Sequence, residues 1–265
     1  VHVRDSGGEF ERLETLDGSP REVIRNNGEV RCVLPAQKTV IIDQAGSRRA
    51  FPSRLAEAWM NLSESYRIRR GELSRVAGLE AQQIILEPKD DLRYGYLLWA
   101  DVQSGLLLKS RMVSERGETI EQFAFNEVKI GGEIDRSQLK SRFPAEQGAG
   151  WQVVNARGNE LRHADVGWTI KAAVPGFYQT SAVRRQMGTG GGDTMQLVFS
   201  DGLAAVSVFI EPVESAETKL SPGASESGAI NLYKRVAGKY LVTALGEVPP
   251  RTVQRLAEAV EPARR

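Results

Sequence analysis

Residues Asp91–Val113 read DLRYGYLLWADVQSGLLLKSRMV, and this stretch decides the fold. Tyr94, Tyr96 and Leu98 alternate with Leu97, Trp99 and Asp101. Beyond them, Leu106, Leu108 and Met112 alternate with Leu107, Lys109 and Arg111. Period-two alternation is the signature of a strand. The join, Asp101–Gly105, carries Gly late in the loop, where a positive φ is needed. The spacing therefore predicts two long antiparallel strands. Both faces bear large apolar groups, so one face must meet a core. The other must meet a helix, a second layer or an apolar ligand.

Upstream, the pattern predicts more antiparallel strands. Glu9–Leu16 alternates, Asp17-Gly18-Ser19-Pro20 turns, and Arg21–Arg25 leads into the hairpin signal Asn26-Asn27-Gly28. Glu29–Leu34 places Val30, Cys32 and Leu34 on one side, and Lys38–Asp43 is a further strand. Leu55, Trp59, Leu62 and Tyr66 follow helical spacing, with Pro52 near the helix start, so Pro52–Tyr66 reads as a helix. Tyr66–Gly71 and Gln82–Leu86 read as strands, and Thr119–Ile130 continues the sheet.

Downstream, residues 138–165 are polar, with Pro144, Gly148 and Gly150, and read as a linker. Trp168–Val174 reads as a strand, followed by a turn at Val174-Pro175-Gly176-Phe177. Met195–Phe199 and Ala204–Ile210 form a hairpin about Ser200-Asp201-Gly202. Residues 214–228 read as a mobile loop. Ala229–Arg235 and Tyr240–Leu245 form a last hairpin, and Val248–Val260 an amphipathic helix opened by Pro249-Pro250.

The expected class is α+β, divided into residues 1–137, a linker 138–165 and a second domain 166–265. The chain of 265 residues is long enough for this, and its net charge of +1 offers no field for nucleic acid. No run is long enough to span a bilayer. The chain starts at Val1 without Met, as after processing or trimming, and Cys32 is its single cysteine, which excludes an intramolecular disulfide.

Catalysis is poorly supplied. His2 and His163 lie far apart, so neither a metal centre nor a triad is expected, and no cofactor is implied. Cys32 reads as a buried structural thiol. Gly188–Asp193 resembles a phosphate loop but precedes a strand instead of a helix, so it reads as a hairpin loop. Asp201 reads as turn chemistry, and Asp90 and Asp91 as water-facing. The surplus is apolar and aromatic: Trp59, Met60, Leu62, Leu97, Trp99, Leu106, Leu108, Met112, Phe123 and Phe125. Read singly, each fits an ordinary core. Together they can line a lipid cavity, where each acyl CH₂ contributes ~0.8 kcal/mol.

Pro88-Lys89-Asp90-Asp91-Leu92-Arg93-Tyr94-Gly95-Tyr96, with Leu98-Trp99 and Ser104–Ser110, resembles the hallmark hairpin of the RseB/MucB family. Further matches follow in order: Trp168, Pro175-Gly176-Phe177, Phe199-Ser200-Asp201-Gly202-Leu203, Ser207–Pro212 and Gly246–Pro249. The resemblance implies a periplasmic regulator of the sigma-E envelope stress response. It implies an N-terminal half-open antiparallel barrel with helices, similar to the lipoprotein carriers LolA and LolB. It also implies a small C-terminal antiparallel sheet with one helix. The resemblance also implies a signal peptide, a helix and initial strands ahead of the region matching Val1, which the sequence from Val1 onward is expected to lack.

The implied partner is the periplasmic domain of a RseA/MucA-type anti-sigma factor, shielded from regulated proteolysis. Trp168, Phe177, Tyr178, Arg184 and Arg185 are the partner-binding candidates. Acyl chains of lipopolysaccharide or mislocalised lipoprotein are the implied releasing ligands, and homo-oligomerisation is left open. The alternative reading is a periplasmic lipid or lipoprotein carrier.

Overall fold

The computed structural model describes residues 1–44, 62–143, 150–161, 167–172, 174–187, 192–213 and 222–263. Trp59, Met60, His163 and Gly188 to Gly191 lie outside these, as does the expected helix from Pro52 up to residue 61; residues 62–65 are helical. The fold is mostly sheet with few helices, and its contacts group into two compact units. The first comprises Val1–Arg49, Gly131–Asn159 and Arg185–Gly191; the second comprises Ala50–Ile130, Glu160–Arg184 and Gly192–Arg265.

The first unit holds a six-stranded sheet. Strands β1 (His2–Asp5), β2 (Gly8–Glu14), β3 (Glu22–Asn26), β4 (Glu29–Leu34) and β5 (Thr39–Gln44) form an antiparallel meander. Asn27 takes φ +52° in the β3–β4 turn, a conformation that Asn tolerates better than most residues. The N-terminal residues are held in the sheet: β1 pairs with β2, and His2 contacts Glu9. Residues 152–155, within the expected linker, form β11 and pair with β5 in parallel, Val153 opposite Val40 and Val154 opposite Ile41. A long connection permits this parallel addition, which local alternation cannot reveal. Cys32 is half-buried where a buried thiol was expected; its neighbour Val33 takes the interior position instead.

The interior of this unit is ionic. Glu22 has no exposed surface, and it stands between Val33 and Val40 on one side and Arg12 on the other. It accepts from Arg12 Nε at 3.2 Å, from Ser141 Oγ at 2.5 Å and from the Arg142 N–H at 3.1 Å. Arg142 also pairs with Glu14 at 3.0 Å, and Arg136 with Asp5 while its guanidinium lies 4.7 Å over Phe10. These contacts fasten residues 136–142 to the sheet. Among the described residues, no buried apolar cluster falls in this unit.

The second unit contains a five-stranded antiparallel meander: β6 (Tyr66–Val76), β7 (Leu79–Pro88), β8 (Gly95–Asp101), β9 (Leu107–Val113) and β10 (Thr119–Ala124). Strands β6 and β7 run longer than the alternation predicted. Ala77 and Gly78 both take positive φ, so a tight turn joins them with almost no loop. The β8–β9 connection behaves as expected, with Gly105 at φ +73° and Asp101 accepting from Ser104 N–H and Oγ at 2.7 and 2.6 Å.

A seven-stranded sheet follows, ordered β12 (Asn159–Glu160), β14 (Tyr178–Met187), β15 (Gly192–Ser200), β16 (Ala205–Pro212), β19 (Tyr240–Gly246), β18 (Ile230–Ala237) and β17 (Gly223–Ser227). Residues 223–227 are thus a strand where a mobile loop was expected, paired edge to edge with β18; their polar side chains hide the pairing from sequence. The short strand β13 (Trp168–Ile170) pairs with β20 (Val260–Pro262).

The helix Pro250–Ala259 leads into β20. Pro250 suits its first turn, where a missing N–H costs nothing. Val253, Leu256 and Ala257 are buried in the main apolar cluster with Val206, Val208, Val242 and Ala244. Burying such side chains stabilises by ~1.5–3 kcal/mol each. Arg235 donates to the carbonyls of Ala257 and Val260 at 2.7 and 2.6 Å, satisfying acceptors the helix end leaves over.

Burial pushes the Glu22 carboxyl up, but the bonds from Ser141, Arg12 and the Arg142 N–H, with the Arg12 charge, bring it net below its usual value. A depressed carboxyl stabilises the fold above its unfolded value, about 4.3, and that contribution fades as pH falls through the folded value. Glu22→Gln should therefore lower the melting temperature at pH 7. Its deficit against the wild type should shrink on acidification below about pH 4. Melting curves across pH check this; a deficit constant with pH would show that the carboxylate charge is not what matters.

Candidate functional site

The turn before β8 is gripped from all sides within the second unit. Lys89 donates its N–H to Ser65 O at 3.0 Å and its ammonium to Ser63 O at 2.6 Å. Thr252 Oγ1 donates to Leu92 O at 2.7 Å, Asn231 Nδ2 donates to Tyr94 Oη at 3.0 Å, and Arg251 pairs with Asp91. Asp90 and Asp91 are exposed, as expected, yet both are engaged. Asp90 Oδ1 accepts the Leu92 N–H at 3.0 Å and Arg93 Nε at 3.0 Å.

Arg93 stands at the centre with no exposed side-chain surface. Its other two nitrogens donate to Asp201 Oδ2 at 3.2 Å and to Pro175 O at 2.7 Å. The guanidinium lies 5.1 Å from the Phe177 ring and 5.8 Å from the Tyr66 ring, within cation–π range. Asp201 also has no exposed side-chain surface. Its Oδ1 accepts the N–H groups of Leu203 and Ala204 at 2.9 and 2.8 Å, and the Tyr66 hydroxyl donates to Oδ2 at 3.3 Å. Asp201 therefore does more than turn chemistry. It shapes the β15–β16 hairpin with one oxygen and neutralises Arg93 with the other.

Burial pushes the Asp201 carboxyl above its usual value; the Leu203 N–H, the Arg93 charge, the Ala204 N–H and Tyr66 pull it back in part. Burial and the Asp201 charge raise the Tyr66 phenol well above its usual value, so it remains a donor at neutral pH. The local sequence, a lone Arg between Leu92 and Tyr94 and a lone Asp between Phe199 and Leu203, offers a weak cue that both charges turn inward.

The apolar candidates divide between the two faces of the five-stranded sheet. Leu62 and Met112 join Tyr66, Leu86, Tyr96, Leu98, Leu107 and Leu203 on one face. Trp99 and Leu108 join Ala81 on the other, with Leu97, Leu106 and Phe125 packed around them. Phe123 is 41% exposed and meets Phe125 edge-on at 5.3 Å. Lys109 Nζ lies 4.5 Å over the Trp99 ring, with Arg111 at 5.7 Å, so this face pairs an aromatic with two cations.

The partner candidates also differ in setting. Trp168 is half-buried, edge-on to Tyr240 at 5.0 Å. Phe177 is buried beneath Arg93. Tyr178 is 58% exposed at the start of β14. Arg184 is exposed and 3.7 Å from Asp193, while Arg185, in the first unit, pairs with Asp43 at 3.0 Å and donates to Ala156 O. No group of three or more His, Cys, Asp or Glu residues that could hold a metal occurs among the described residues, and no helix there is long and apolar enough to cross a membrane.

Removing one member of a buried ion pair strands its partner and costs ~3–5 kcal/mol, whereas replacing both with apolar groups is often far cheaper. Arg93→Met and Asp201→Leu should each cost about that much in urea unfolding followed by tryptophan fluorescence, and the double variant should recover part of the loss. Single losses under about 1 kcal/mol would mean that water reaches the pair.

Comparison with known proteins gives a consistent answer over the whole chain. The MucB/RseB N-terminal domain model matches residues 1–143, and the MucB/RseB C-terminal domain model matches residues 162–261. The sigma factor AlgU regulatory protein MucB of Pseudomonas aeruginosa is 32% identical over 264 residues, covering 98% of this chain and 79% of the relative. The sigma-E factor regulatory protein RseB of Haemophilus influenzae is 26% identical over 268 residues, covering 98% and 80%. A crystal structure of MucB in complex with MucA(peri) superposes with a TM-score of 0.72 at 30% identity, covering all of this chain and 87% of that one. With both domain models in order and a 32% identical relative covering 98% of this chain, this chain belongs to the MucB/RseB family.

Proposed function

We propose that this chain is a periplasmic regulator of a sigma-E-type envelope stress response. It binds the periplasmic domain of a RseA/MucA-type anti-sigma factor, shields it from regulated proteolysis, and releases it when lipopolysaccharide or mislocalised lipoprotein is bound. The observation that carries this reading is the likeness, over the full chain, to MucB in its complex with MucA(peri). Function divides as residues 1–137 for lipid sensing, on a half-open barrel of the LolA type, 138–165 as linker, and 166–265 for the anti-sigma factor.

In this reading Tyr178 and Arg184 meet the partner directly, because both are exposed. Leu97, Trp99, Leu106, Leu108 and Phe125 share one sheet face and form the acyl-binding set; Lys109 and Arg111 beside Trp99 suit an anionic headgroup. A lipid can displace the partner only through its differential affinity for the two states, typically ~1–3 kcal/mol or roughly 5- to 150-fold.

Calorimetric titration of the chain with the periplasmic domain of its cognate anti-sigma factor, with and without lipopolysaccharide, tests this. Tight binding weakened roughly 5- to 150-fold by lipid is expected. Binding indifferent to lipid would remove the sensing role from this chain. Lipid uptake without any partner binding would favour the carrier reading.

A further inference from the structure

Phe177 is buried, yet the residue after it, Tyr178, is among the most exposed aromatic side chains described. What fixes Phe177 therefore aims Tyr178. The fixing element is the turn Val174–Phe177, closed by the Phe177 N–H donating to Val174 O at 3.0 Å. Pro175 and Gly176 occupy its centre, and Gly176 takes φ +76°, the geometry of a type II turn. Such a turn leaves its central carbonyl outside its own hydrogen-bonded ring. Here that carbonyl, Pro175 O, accepts from Arg93 at 2.7 Å. The backbone at Gly176 lies close against the guanidinium: a Cβ there would come within 2.8 Å of an Arg93 nitrogen and 2.6 Å of Ser65 Oγ. The Phe177 ring packs on the same guanidinium at 5.1 Å.

We infer that Arg93, oriented by Asp90 and Asp201, is a positioning residue for the partner surface at Tyr178. It acts through the Pro175–Phe177 turn and touches no partner itself. The inference rests on the reading above, in which this surface meets the anti-sigma factor. The chemistry of Arg93 fits the role. Its planar fork serves three acceptors in fixed directions, Asp90, Asp201 and Pro175 O. Lysine keeps the charge but gathers its donors on one nitrogen, so it cannot reproduce the three separate directions that the guanidinium serves. Tyrosine is also a residue type enriched at binding hot spots, where one truncation often outweighs its neighbours.

A double-mutant cycle on affinity for the anti-sigma periplasmic domain tests the inference, with cooperative thermal unfolding confirming that each variant is folded. Tyr178→Ala should weaken binding about tenfold, and Arg93→Lys by a similar factor. The double variant should bind no worse than the weaker single, because Arg93 acts only through Tyr178. A general effect on the fold would not show that coupling. Multiplying losses, about a hundredfold together, would overturn the inference while leaving the partner reading intact. Wild-type affinity in folded Arg93→Lys would do the same. An unchanged affinity in Tyr178→Ala would sink the partner reading at this surface, and the inference with it. If Arg93→Lys does not fold, Gly176→Ala takes its place in the cycle, since its Cβ forces the turn and the Arg93 guanidinium apart while both charged residues are kept.

Discussion

A single buried charge pair organises the second unit. Arg93 and Asp201 come from segments more than a hundred residues apart, and neither side chain reaches water. A buried guanidinium is tolerable only where its donors are satisfied and its charge is met. Meeting that requirement forces the turn before β8, the Pro175–Phe177 turn and the β15–β16 hairpin into one place. Tyr66, Phe177 and the Asp201-bound N–H groups then complete the enclosure. Separating these turns would leave a buried charge stranded, which is strongly destabilising.

Around this centre the second unit behaves as an ordinary apolar interior. Leu92 belongs to the same buried cluster as Phe177, Phe199, Val253 and Leu256, so the residue beside Arg93 anchors the turn by packing while Arg93 anchors it by charge. Thr252 and Asn231 add hydrogen bonds to the same turn, at Leu92 and Tyr94. The hairpin that follows can therefore present both its faces from a fixed base.

The first unit is put together differently. Its described interior rests on Glu22, Arg12, Ser141 and Arg142, and its outlying segments are fastened by Arg136 to Asp5, Arg157 to Glu29 and Arg185 to Asp43. Partly exposed pairs of this kind contribute little each and are screened by salt. The outlying segments of this unit should accordingly loosen as ionic strength rises.

Much of this was legible in the sequence. Alternation and turn chemistry sufficed for the meanders, for the hairpin turns at Asn27 and Gly105, and for the C-terminal helix with Pro250 in its first turn, because those features follow from neighbours in the chain. The order of motifs sufficed for the family. What alternation missed was long-range or polar: the parallel addition of β11, the polar edge strand β17, the continuation of β6 and β7 through Ala77-Gly78, and the inward turn of Asp201. Pairing between distant segments leaves no local period, and a buried charge is legible only once its partner is known. The amino-acid sequence by itself determined the strands, the turns and the kinship. Only the tertiary structure decided which charges are buried, because burial of Arg93 depends on an aspartate that meets it in space and not in sequence.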